Sequence, residues 1–212
     1  MKRLSPERLK AALLYEGTLM PRSLVMAIGM MLCLSLISCD LFKTRTPEEP
    51  SQQSSNYIPP TDASLVLQNM VSAFQDGDAV NYTKSFSETS FSFEPSTSAR
   101  TRYGGELLSW DKTKEQDYFK NVINSLQPNS KVTLVFTPMT STNFPDSCEI
   151  GTAYQLTVPH TKANVAKVFV GQSQFTIIRD PQIGYWYIRR WVDVGVNPSD
   201  STWSDLKGAF AR

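Results

Sequence analysis

The sequence predicts an α+β fold in which N-terminal helices pack inside a curved, mostly antiparallel sheet. Two patterns predict it. After residue 60, apolar residues first recur at helical spacing and then alternate strictly in four consecutive stretches. Those stretches are joined by short connections, which suit an antiparallel meander; parallel strands need crossovers of a dozen or more residues. A third observation sets where the fold begins: a stretch rich in Pro, Ser and Gln ends at Pro60.

The first helix spans about residues 62–74. Val66, Leu67, Met70, Val71 and Phe74 form its apolar stripe, and Thr61 is its expected N-cap. "QDGD" at 75–78 stops it. A short second helix covers 80–86 and carries Tyr82. "TSFSFEPS" then alternates, with Phe91 and Phe93 on one face, and reads as a strand ended by Pro95. Residues 96–106, with two glycines and two arginines, read as a loop. "TKEQ" at 113–116 has the form of a capping box opening a third helix, whose stripe is Tyr118, Phe119, Val122, Ile123 and Leu126 and which ends at Pro128-Asn129.

Four strands follow, at 131–140, 148–158, 166–178 and 185–194, connected through 143–147, 159–164 and 179–184. Gly171 falls inside the third of them and predicts a bulge or sharp bend. "TWSD" at 202–205 has a second capping-box form and opens a short terminal helix over Leu206 and Phe210.

This order of elements, with the closing strand "GYWYIRRWVDV", resembles the cone-shaped fold of the nuclear-transport-factor-two-like superfamily, which includes ketosteroid isomerase-like enzymes. The resemblance covers roughly residues 61–195. Another α+β roll, such as a cystatin-like half-barrel, is the runner-up. The resemblance implies a pocket between sheet and helices. Phe74, Tyr82, Phe86 and Trp191 are its candidate lining, although aromatic residues at such spacings more generally serve as core.

Ahead of the fold, 24–37 ("LVMAIGMMLCLSLI") is apolar and uncharged. It is shorter than the roughly 20 residues a membrane-spanning helix needs and fits the apolar middle of a secretory signal. It runs into Leu36-Ile37-Ser38-Cys39, which resembles the lipobox of bacterial lipoproteins. The resemblance implies a diacylglycerol on the Cys39 thiol, cleavage between Ser38 and Cys39, and an envelope location with the domain outside the cytoplasm. Two or three acyl chains anchor stably, because each buried CH₂ contributes about 0.8 kcal/mol. Asp40 points to the inner membrane only under the enterobacterial rule. Residues 1–38 are thus the expected signal peptide, with Met20 an alternative start. Residues 39–60 are the lipidated terminus and a Pro/Ser/Gln-rich tether that buries too little apolar surface to fold. Residues 61–212 form a single α+β domain.

Composition excludes some functions. The chain has 21 Lys+Arg and 20 Asp+Glu, and removing the signal segment leaves 16 bases against 18 acids. No basic cluster remains to meet a polyanion, so nucleic acid is not an expected partner. Of three cysteines, Cys33 leaves with the signal and Cys39 is acylated, so Cys148 stands alone and no internal disulfide is expected. Cys148 reads as a buried small hydrophobe in a strand; as a nucleophile it has only His160 for a base, with no orienting group. No metal ligand set and no cofactor motif is present. His160, in a Pro-His-Thr turn, is expected to be exposed.

Isomerase-like chemistry needs a poised carboxylate and tyrosine or protonated-acid donors at the developing enolate. The chain offers Tyr82, Tyr118, Tyr154 and Tyr187, with Asp111 and Asp193, but no spacing joins them, so no catalytic residue is assigned. Asp193 is expected to pair with Arg189 on one strand face. Two functional expectations follow: a membrane-anchored, noncatalytic domain that binds a small ligand or an envelope protein, or a small-pocket enzyme of the ketosteroid isomerase-like or dehydratase type. The second demands a deep cavity with a buried acid facing a tyrosine or arginine.

Overall fold

A computed structural model of the chain describes residues 56–212. The expected signal peptide, Cys39 and most of the tether lie outside the described residues. Helix α1 is Ala63–Asp76, α2 Ala79–Thr83, α3 Thr97–Leu107, α4 Lys112–Asn124 and α5 Trp203–Phe210. Strands are β1 Ser92–Glu94, β2 Thr133–Asn143, β3 Ser147–Thr157, β4 Val168–Arg179 and β5 Trp186–Val194. They form one sheet in the order β1-β5-β4-β3-β2, antiparallel throughout except for the parallel β1–β5 pair. The predicted α+β class and the four-strand meander are therefore present.

Each helix terminus has a local cause. Asp62, rather than Thr61, caps α1, its Oδ1 accepting from the Ser64 N–H at 2.8 Å. Gly77, at φ 66°, ends α1 in the left-handed conformation that glycine adopts without strain. The expected box at 113–116 does not open α4. Asp111 caps it two residues earlier and accepts from the Lys114 N–H at 2.9 Å, leaving Glu115 free to turn into the core. The second expected box is present: the Thr202 N–H donates to Asp205 Oδ2 at 2.8 Å.

Residues 96–106 were expected to be a loop, and most of them form α3. Ser96 caps it, its backbone kinks at Tyr103, and Ala99 and Leu107 are buried. Its partner is α5: Arg102 pairs with Asp205 at 2.6 Å, and the Tyr103 ring lies where a side chain at Gly208 would stand. The helix is held by tertiary packing more than by propensity.

Two bulges curve the sheet. Met139 is the extra residue between Pro138 and Thr140 on β2, and Arg189 is the extra residue opposite Thr176–Ile177 on β5. The second resets the alternation, so that Ile188, Trp191 and Asp193 all face inward while Arg189 and Arg190 face solvent. Asp193 therefore does not pair with Arg189, as alternation alone had suggested. Gly171 is not a bulge. The β3–β4 register runs through it, opposite Tyr154, and glycine is required because the Tyr154 phenol crosses directly over it.

The core between sheet and helices is dense in aromatic rings. Phe74, Tyr82, Phe86 and Trp191, the candidate pocket lining, are fully buried. Tyr82 stacks on Phe119 with ring centroids 4.0 Å apart, and Trp191 meets Trp203 edge-on at 4.6 Å. These four residues are packed core and line none of the cavities described below. The fold also begins before Thr61. Asn69 clamps Ile58, donating to its carbonyl at 2.6 Å and accepting from its N–H at 2.9 Å, and the Trp186 N–H donates to the Pro60 carbonyl at 2.9 Å.

Candidate binding groove and closed interior

The C-terminal helix decides what the interior can do. Residues 203–208 and Phe210 of α5 are all buried, on every side of the helix. A helix buried all round must bring its polar side chains to partners inside. Two clusters do this.

In the first, Glu115 from the first turn of α4 meets Lys207 from α5 in an ion pair with neither side chain exposed. Tyr82 donates its hydroxyl to Glu115 Oε1 at 2.5 Å, and the Trp110 indole N–H donates to Oε2 at 2.6 Å. The Lys207 ammonium lies over four ring faces: Trp191 at 4.0 Å, Phe93 at 4.2 Å, Tyr118 at 5.1 Å and Trp110 at 5.3 Å from the centroids. Burial lowers the Lys207 pKa from 10.5 to about 8, with Glu115 opposing the shift. Burial, reinforced by Glu115, raises the Tyr82 and Tyr118 hydroxyls well above their ordinary value.

In the second, Asp193 of β5 accepts from the Tyr154 hydroxyl at 2.7 Å, from the Ser204 N–H at 2.8 Å and from the Ser204 hydroxyl. Tyr154 in turn accepts from the Trp203 N–H at 2.7 Å. Burial raises the Asp193 pKa against the pull of these donors, and burial followed by Asp193 raises that of Tyr154. Both clusters pair an acid with a tyrosine, as isomerase-like chemistry would require. Yet each acid is satisfied from within the fold, and α5, buried along its length, supplies a partner to both.

Other singled-out residues fall as follows. Cys148 is buried in β3, as expected, and its thiol donates to Asn143 Oδ1 at 3.0 Å. His160 is fully buried, contrary to expectation. Its Nε2 lies 2.8 Å from the Ala166 carbonyl, its ring packs edge-on against Phe210 of α5, and its Nδ1 has no partner among the described residues. The turn reading failed because Phe210, fifty residues on, covers it. Tyr187 is on β5 and Asp111 caps α4, so neither joins the two interior clusters.

An open, largely apolar cavity lies on another side of the fold. A groove of about 710 Å³ runs between α1 and the outer strands β2 and β3. Leu67 and Val71 of α1 face Leu134, Phe136, Met139 and Ile150 across it. Its polar lining is confined to hydroxyls and an amide, from Ser64, Gln68, Thr140, Ser141 and Thr152, and no ionisable side chain lines it. The Met139 bulge helps to form it, leaving that side chain half-exposed on the edge strand. A smaller cleft of about 370 Å³ includes the outward row Glu149, Thr176 and Arg190, but Arg190 is already held by Glu94 at 2.8 Å.

Sequence reasoning missed the groove, since it forms between residues some seventy apart. It also missed Glu115 and Lys207, although both carried a signal. Glu115 stands three and four residues before Tyr118 and Phe119, and Lys207 four after Trp203 and three before Phe210, so each is a charge on an apolar stripe. Among the described residues no group of His, Cys, Asp and Glu could hold a metal ion. No helix there is long and apolar enough to cross a membrane.

No protein-family model matches the sequence, and neither does any curated protein. Among solved structures, the chain is similar to a conserved protein from Planctomyces limnophilus, with a TM-score of 0.51 at 11% identity over 62% of this chain and 91% of that one. A nuclear transport factor 2-like superfamily protein from Salmonella enterica serovar Typhimurium aligns with a TM-score of 0.47 at 12% identity over 61% of this chain and 85% of that one. The likeness to the Planctomyces protein, at 11% identity, is one of fold alone.

Proposed function

We propose that the protein is a lipid-anchored lipoprotein of the bacterial envelope whose domain is noncatalytic and holds a small, neutral, apolar molecule in the groove between α1 and β2–β3. The groove carries the reading. Its volume lies in the usual range of ligand sites, roughly 300–1,000 Å³, and its lining is apolar with a few hydroxyls. A charged ligand would lose its water there and gain no counter-charge. The anchor rests on the Leu36-Ile37-Ser38-Cys39 resemblance at the end of the uncharged run.

What supports binding over the isomerase-like alternative is the enclosure of both acid–tyrosine pairs by α5. A poised base needs a carboxylate free to take its substrate's proton, whereas Glu115 and Asp193 are buried and already accept from Tyr82, Trp110 and Lys207 and from Tyr154 and Ser204. The test is organic extraction of the full chain purified from its own host, followed by mass analysis of what is released. A neutral, apolar species in stoichiometric amount is expected. Release of nothing, or of a charged species, would overturn the ligand class.

A further inference from the structure

The environment of Lys207 is more specific than a buried ion pair requires. Its ammonium has one hydrogen-bond acceptor among the described residues, Glu115, and otherwise meets ring faces. Those rings come from four separate places: Phe93 on β1, Trp110 in the connection before α4, Tyr118 on α4 and Trp191 on β5. The rings are themselves held. Trp110 donates to Glu115, Trp191 donates to Ser173 Oγ at 3.0 Å, and Tyr118 accepts from Trp203 at 2.9 Å. Each ring face presents the negative side of its quadrupole to a cation, and several faces around one cation form the arrangement that recognises alkylated ammonium ions. Only the lysine comes from α5, the last element of the chain.

We propose that the interior of the curved sheet is an ammonium-binding site, an aromatic box with Glu115 as its anion, which Lys207 occupies in cis and which takes a free primary or quaternary ammonium compound when that side chain is absent. The site is separate from the groove, and its failure leaves the groove reading untouched. Its ligand class is opposite in kind: a cation, where the groove takes a neutral molecule.

The experiment uses the full chain with Lys207→Ala, which deletes the equivalent of n-propylammonium. Thermal unfolding and tryptophan fluorescence are followed while n-propylammonium or 1-propanol is added. The cation is expected to raise Tm saturably and to bind at least tenfold more tightly than the alcohol, and wild type, its box filled, is expected to respond to neither. Equal response to both compounds, or no response from the folded variant, overturns the proposal. If Lys207→Ala does not fold alone, refolding by the cation but not the alcohol supports it. The double variant Lys207→Ala/Glu115→Gln removes the orphaned charge; there tetramethylammonium is expected to bind in preference to 1-propanol through the rings alone. Failure of the cation to refold the single variant, together with no cation preference in the double one, also overturns it.

Discussion

Tyr154 stands directly across the sheet from Gly171, and its hydroxyl lies 2.6 Å from where a Cβ at 171 would be. The same hydroxyl joins Asp193 to the Trp203 N–H. One missing side chain on β4 therefore lets a tyrosine on β3 reach over the sheet and fix the start of α5. Gly171→Ala is expected to destabilise by about 1–3 kcal/mol, because the Val194 carbonyl also lies 2.8 Å from the added atom and backbone cannot give way cheaply. Gly105→Ala, with nothing within 4 Å of its added atom and a helical position in α3, is expected to be neutral or stabilising by up to about 1 kcal/mol. Denaturant midpoints of the two variants check both signs.

Lys207→Met leaves Glu115 buried without its cation. Breaking one side of a buried ion pair typically costs about 3–5 kcal/mol, whereas replacing both sides by uncharged groups is often near neutral. Lys207→Met is therefore expected to be severely destabilised and Lys207→Met/Glu115→Gln to recover most of the loss. Equilibrium unfolding of wild type and the three variants, including Glu115→Gln, forms the cycle that measures the coupling.

The pH dependence of stability has a defined sign. Lys207 has a folded pKa of about 8 and an ordinary value of 10.5, so between these values the unfolded chain binds more protons. Stability then rises with pH across that window, by up to about 3 kcal/mol from this group. Tyr82, Tyr118 and Tyr154 have raised folded pKa values, so their contribution is lost as pH climbs past the unfolded value near 10. A stability maximum at about pH 9–10 is expected in urea titrations. Lys207→Met/Glu115→Gln is expected to lose the rise and keep the fall. A wild-type profile that only falls above pH 8 would contradict this.

Asp193→Asn replaces one acceptor by a donor where Tyr154 and Ser204 already donate. A buried donor facing a donor costs about 1–3 kcal/mol. The loss is expected to concentrate at α5, seen as faster amide exchange of Trp203 and Ser204 than of β3.

Cys39→Ser is expected to abolish acylation and leave the precursor uncleaved. Palmitate labelling of cells expressing the variant reads this directly, and unchanged labelling would refute the lipobox.

Much of the fold was legible because the four long strands state their own period: each lies within about three residues of its expected place. What was not legible depended on distant partners. α3 carries Gly104 and Gly105 and a weak apolar stripe, and contacts with α5, Tyr103 against Gly208 and Arg102 against Asp205, help to hold it as a helix. Asp193 could not be placed without the Arg189 bulge, nor His160 without Phe210. Gly171 was singled out correctly but for the wrong reason, since its cause, the Tyr154 ring, sits on another strand. The groove joins Leu67 and Val71 to β2 and β3 across a separation no local pattern spans.

Native mass spectrometry of the full chain from its own host, beside the Val71→Glu variant, tests the central reading most directly. Val71 lines the groove and lies outside both interior clusters. The account predicts a small neutral adduct on the wild type and its loss from Val71→Glu, with the variant still folded by circular dichroism. An adduct retained undiminished in the folded variant, or none on the wild type, would contradict it.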